Sequence, residues 1–202
     1  MKNKPISLLI LLAGVSLTGL SACEDDATSS DDNAQAGAVV KTVSNLDADT
    51  ALTGKFTFFS FKTGEKIPNS DSATTKWDVG FRGTTIILNG GTSGPGLTKV
   101  KILSSLFEDV TQAPDSGYVA DQMPATYAIP IGSGKGWYTY DSGINLISPI
   151  AGKVFVVKTS EDRYAKFEIL SYYKDKVITE QRKSRYYFLR YVYQPENTKI
   201  FN

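Results

Sequence analysis

Tyr164-Ala165-Lys166-Phe167-Glu168-Ile169-Leu170-Ser171-Tyr172-Tyr173 decides the architecture of this chain. Ala165, Phe167 and Ile169 share one parity and Lys166 and Glu168 the other, the period-two pattern of a strand with an apolar face. Just before it, Lys153-Val154-Phe155-Val156-Val157-Lys158 is a β-branched run with charged ends, and Ser160-Glu161-Asp162-Arg163 is a hairpin-sized turn. Just after it, residues 184–193 form a last long strand closed by Pro195, with Tyr187, Leu189, Tyr191 and Tyr193 on one face. These three segments are expected to lie side by side in one antiparallel sheet.

Further strand-like pieces come earlier. Lys55-Phe56-Thr57-Phe58-Phe59-Ser60-Phe61 carries aromatics on both faces. Residues 77–82 and 84–89 are broken apart by Gly83 and ended by Asn89-Gly90-Gly91. No stretch sustains apolar residues at helical spacing. Residues 104–110 are the candidate for a short helix, capped by Ser104 or Ser105. Many strands separated by Gly, Pro and Asn turns predict an all-β fold, an antiparallel sandwich or barrel-like single domain.

The N-terminus is of another kind. Lys2 and Lys4 precede the apolar run 6–13, and the segment closes on Leu20-Ser21-Ala22-Cys23. This reads as a signal peptide over residues 1–22, too short and wrongly flanked to span a membrane. Leu-Ser-Ala-Cys resembles the bacterial lipobox, which makes Cys23, the chain's single cysteine, the expected lipidation site. Residues 23–38 follow as an acidic linker, rich in Asp, Ser and Ala and without bulky apolar residues, expected to be a flexible tether. Glu24-Asp25-Asp26 resembles an export signal to the cell surface. The anticipated location is therefore the outer membrane, lipid-anchored, at the cell surface. The domain is residues 39–202, and with no second cysteine it must hold together by core burial alone.

Composition excludes several chemistries. The chain has no histidine, which removes His-based acid–base catalysis, Ser-His-Asp and Cys-His systems, and the usual zinc sites. Paired carboxylates remain, drawn from Asp78, Glu108, Asp109, Asp115, Asp121, Asp141 and Glu168, but most read as solvated surface groups. No enzymatic activity is expected. With the leader lysines and linker acids set aside, the 22 basic and 21 acidic residues leave the domain about +4. That is too weak a field, too interleaved with aromatics, for nucleic acid. The basic residues of 174–190 read instead as a solvated strand edge. Asn89-Gly90-Gly91-Thr92-Ser93-Gly94-Pro95-Gly96 lacks the Lys-Ser/Thr ending of a phosphate loop. It reads as a turn with several positive φ angles.

Taken together, three segments resemble one known family. Residues 77–91, then Gly136-Trp137-Tyr138-Thr139-Tyr140-Asp141 with 147–157, then residues 163–173 with the aromatic last strand, are similar in order and content to HmuY proteins. The likeness runs from about Phe56 to Tyr193. It implies an all-β, haem-binding outer-membrane lipoprotein serving haem acquisition and iron uptake. Such a protein takes haem from host or environmental haemoproteins and passes it to a TonB-dependent receptor, often with self-association into homo-oligomers. The family's best-known member uses two histidine ligands, and neither carries over here. The haem-binding candidates are Met123, Tyr138 and Tyr140, since thioether and phenolate are both legitimate axial ligands. Trp77 and Trp137 are candidate stacking aromatics for haem or a metal-free porphyrin. The alternative of a different class is a non-haem surface module, such as a glycan-binding β-sandwich in which Trp77, Trp137, Tyr138 and Tyr140 stack on sugar rings.

Overall fold

The alternating run of residues 164–173 becomes a strand inside a sheet whose two faces are both covered. The computed structural model describes residues 39–122 and 126–201. Along the chain run β1 (Val40–Asp47), β2 (Thr57–Ser60), β3 (Glu65–Ile67), β4 (Val79–Arg82), β5 (Thr85–Leu88) and β6 (Lys99–Ser104). They are followed by β7 (Tyr138–Asp141), β8 (Leu146–Pro149), β9 (Lys153–Lys158), β10 (Tyr164–Tyr173) and β11 (Ser184–Gln194). One sheet has the order β1-β11-β10-β9-β6 and a second β3-β2-β4-β5, while β7 and β8 form a hairpin of their own. All the strand pairings are antiparallel. The fold is an all-β sandwich. Among the described residues no helix is long and apolar enough to cross a membrane.

The main core lies between the two sheets. Ala165, Phe167 and Ile169 of β10 and Tyr187, Leu189 and Tyr191 of β11 meet Phe59, Phe61, Val79 and Phe81 from the second sheet side. Ring pairs join the layers: Phe59–Tyr191 at 5.7 Å, Phe61–Phe167 at 5.3 Å and Phe81–Tyr187 at 4.8 Å. Each fully buried side chain of this size contributes about 1.5–3 kcal/mol.

The opposite face of the first sheet is also covered, and here the sequence reading needs correcting. Phe107, Val110, Ala113 and Phe201 pack on Val154, Val156 and Val192. Lys166 is consequently only 5% exposed. Its Nζ donates to the carbonyls of Phe107 (2.7 Å) and Val110 (2.9 Å) and stands 4.3 Å from the Phe107 ring centroid. Arg190 pairs with both Glu168 and Glu108 and stacks on the same ring. The basic residues of β11 therefore mark no solvated edge, because β11 lies between β1 and β10. The expected helix over 104–110 is absent too. Ser104 ends β6, and the Asp109 amide closes a single turn onto the Leu106 carbonyl. That turn presses Phe107 and Val110 onto the sheet, and a segment this short gains more from their burial than from helix propagation.

The glycine-rich turn is held by close packing rather than by backbone freedom alone. Of Gly90, Gly91, Gly94 and Gly96, only Gly91 has a positive φ (+65°). The others lack side chains because a Cβ would collide with Thr98, Trp77 or Ser160. Asn89, fully buried, donates to the carbonyls of Thr74 (2.9 Å) and Trp77 (2.8 Å) and accepts the Gly96 amide (2.9 Å). The loop's polar groups are thus spent on the protein itself.

Candidate functional site

Alternation in β10 fails at its C-terminal end, and the failure builds a site. The β10–β11 register shifts on either side of Ser171, so Leu170 turns outward while Ser171, Tyr172 and Tyr173 are all buried. Bulges of this kind re-aim side chains next to functional sites. Here two consecutive phenols enter the core beside the β7–β8 hairpin, and the Tyr173 hydroxyl accepts the Ile147 amide at 2.8 Å. Burial pushes the Tyr172 hydroxyl up to about 12 and Tyr187 well above the ordinary tyrosine range. Both stay neutral phenols.

Two segments project at this end of the first sheet: the β7–β8 hairpin and the β10–β11 connection, residues 174–183. Arg182 fastens one to the other by donating to the carbonyls of Ile144 and Asn145. The groove beside them has a volume of about 560 Å³ and includes Thr84, Asn145, Tyr172, Glu180, Arg182 and Arg185 in its lining. Among the described residues neither arginine has a carboxylate within 4.0 Å. Arg185 has a φ of +68°. A long side chain held in the left-handed region is strained by about 1–3 kcal/mol, and such residues concentrate at binding sites. Outside the groove's lining, the same two segments carry exposed apolar side chains: Tyr140 and Ile144 on the hairpin, Val177 and Ile178 on the connection.

Tyr138 and Tyr140 share a parity on β7. Tyr138 is half-buried against Trp137, with ring centroids 4.8 Å apart, whereas Tyr140 is exposed and donates to Asn145 Oδ1 at 2.6 Å. Cys23 and Met123 lie outside the described residues. Asp121, shortly before Met123 in the sequence, accepts the Leu88 amide at 2.9 Å, at the C-terminal end of β5. Trp137 instead bonds the Thr84 carbonyl just before β5, about 13 Å away at the usual strand rise.

The two tryptophans are a correction. Each is 1% exposed, so neither offers a ring face to a ligand. Trp77 packs on Phe58 and donates to the Ser72 carbonyl at 3.0 Å; Trp137 packs among Tyr138, Tyr172 and Tyr187 and donates to the Thr84 carbonyl at 2.9 Å. With the indole N–H satisfied, burying the whole ring system outweighs exposing it. Two of the carboxylates expected at the surface are buried as well. Asp121 accepts the Leu88 and Ala128 amides, and Asp78 accepts the Phe61 amide at 2.8 Å. Among the described residues no three His, Cys, Asp or Glu side chains cluster in a way that could hold a metal ion. Arg182 and Arg185 belong to the basic cluster read from the sequence as a solvated edge and were not among the site candidates.

The model of the HmuY protein family matches residues 53–188. The chain belongs to the HmuY family. Its sandwich is also that of solved structures. An HmuY-like haem-binding protein of Bacteroides vulgatus is 17% identical, over 79% of this chain and 98% of its own, with a TM-score of 0.52. A Bacteroides fragilis protein assigned as a lipoprotein is 16% identical, over 78% of this chain and 92% of its own, with a TM-score of 0.51. These likenesses concern the fold. No curated protein matches the chain by sequence.

Proposed function

We propose that this HmuY-family protein is a haem carrier that holds the macrocycle at the groove between the β7–β8 hairpin and the β10–β11 connection. Family membership carries this reading. The chemistry of the groove supports it. Haem is an apolar disc with two carboxylates at one edge. The exposed Tyr140, Ile144, Val177 and Ile178 suit the disc, and Arg182 and Arg185, free of carboxylate partners among the described residues, suit the carboxylates. With no imidazole in the chain, iron is left to Tyr138, Tyr140 or Met123, or to no side chain at all. A weak axial bond makes the cargo easy to hand over. The carrier acts from the outer membrane, tethered through lipidated Cys23 and the linker 23–38, and delivers haem to a TonB-dependent receptor. The glycan-binding alternative loses its main support with Trp77 and Trp137 in the core.

Visible absorption titration with ferric haem, ferrous haem and metal-free porphyrin tests this. A phenolate site favours ferric iron and loses that preference in Tyr138→Phe or Tyr140→Phe, whereas a thioether site favours ferrous iron and weakens in Met123→Ala. Arg182→Gln together with Arg185→Gln lowers affinity for all three by at least tenfold. No shift of the Soret band at micromolar haem in either oxidation state would refute the proposal.

A further inference from the structure

At the other end of the sandwich lies a smaller cavity of about 270 Å³. It sits where the β2–β3 turn meets the β9–β10 turn, and the ten residues of β10 separate it from the groove by about 30 Å. Asp78 contributes to its wall while only 7% exposed. Beside it stand the hydroxyls of Ser60, Thr75 and Ser160, with Ile67 and the Tyr193 ring supplying apolar surface.

The carboxyl has no counter-ion. Its Oδ2 accepts the Phe61 amide, but among the described residues no basic side chain comes within 4.0 Å. The two lysines of the cavity are drawn elsewhere, Lys62 to Glu161 at 2.7 Å and Lys76 to Asp71 at 3.1 Å. Arg163, close by, is turned to the Pro195 carbonyl. Burial, reinforced by Glu161 and opposed by the hydrogen bonds from Phe61 and Ser60 and by Lys62, raises the Asp78 carboxyl to about 6. A buried carboxylate without a counter-ion is costly, and a cation entering the cavity reduces that cost.

A cavity of about 270 Å³ is too small for a macrocycle and admits a ligand of a few heavy atoms. An ammonium group brings three N–H donors, one for the carboxylate and others for the surrounding hydroxyls. A short alkyl chain fits against Ile67, and the Tyr193 ring favours positive charge near its face. We propose that this cavity is a second binding site, independent of the groove, for a small alkylammonium cation held by Asp78.

The test follows the Asp78 side-chain carbon and the Tyr193 ring by NMR during titration with n-butylammonium chloride, against 1-butanol and sodium chloride as controls. The amine stays charged throughout, with a pKa close to that of lysine. Saturable shifts are expected with butylammonium at pH 7.5, with affinity about tenfold weaker at pH 5, where a carboxyl titrating near 6 is mostly protonated. Neither control produces them, and Asp78→Asn abolishes them. The wild-type pH dependence decides the matter even if that variant folds poorly. Equal binding of 1-butanol, binding insensitive to pH, or no saturable shift would each overturn the proposal.

Discussion

Replacing Asp78 by asparagine is expected to stabilise the fold at neutral pH. The side chain is almost wholly buried, and burial is the largest cause of its rise from 3.8 to about 6. Between those two values the folded protein holds the Asp78 proton while the unfolded chain has lost it. The contribution of this group to stability is therefore full below pH 3.8 and is lost as pH rises toward 6. At about 1.4 kcal/mol per unit, the ionisable side chain costs the fold about 3 kcal/mol at pH 7.5 and about 1 kcal/mol at pH 4.5. Asparagine keeps a carbonyl oxygen for the Phe61 amide and never ionises. Urea denaturation of both proteins at the two pH values measures the difference, and titrations common to both cancel. The variant should be the more stable at pH 7.5, with an advantage that shrinks by about 2 kcal/mol on acidification. A variant that is less stable at pH 7.5, or an advantage that does not change with pH, would refute the account of Asp78 as an acid buried without a counter-ion.

Three further substitutions probe buried polar contacts. Lys166→Met keeps the stem but leaves the Phe107 and Val110 carbonyls unpaired, which should cost about 1–3 kcal/mol in denaturant unfolding. Tyr187→Phe strands the Gly83 carbonyl beneath the sandwich and should cost about 1 kcal/mol, seen as a lower melting temperature by circular dichroism. Asn89→Ala removes three hydrogen bonds at once and should destabilise by more than Tyr187→Phe in the same melts.

The fold was legible where a single periodicity governs. The parity of 164–169 and of 187–193 assigns the inward residues, and the adjacency of β9, β10 and β11 follows from it. Legibility ends where a second layer intervenes. Lys166 and Glu168 look solvated because nothing in β10 reveals that Phe107 and Phe201, distant in sequence, will cover them. Trp77 and Trp137 look like docking platforms for the same reason: aromatic rings serve core and surface alike, and their carbonyl partners Ser72 and Thr84 carry no side-chain signal. Tyr138 and Tyr140 directed attention to the β7–β8 hairpin, which borders the candidate groove. Its cations were missed because Arg182 and Arg185 were read with β11 as a free edge, while β1, about 140 residues earlier in the chain, pairs there.

That pairing has a consequence for how the domain comes into being. Val40 lies opposite Val192, so the earliest described strand waits for one roughly 150 residues later before it gains a neighbour. During synthesis the sheet therefore cannot grow outward from its first strand. β9 and β10 can assemble as a hairpin, and β6 joins β9 across residues 105–152, but β1 has no place until β11 has docked on β10. Closing so long a loop is entropically slow, and it makes attachment of β1 a late, all-or-nothing event. A truncation within β11 should thus cost the sheet two strands rather than one.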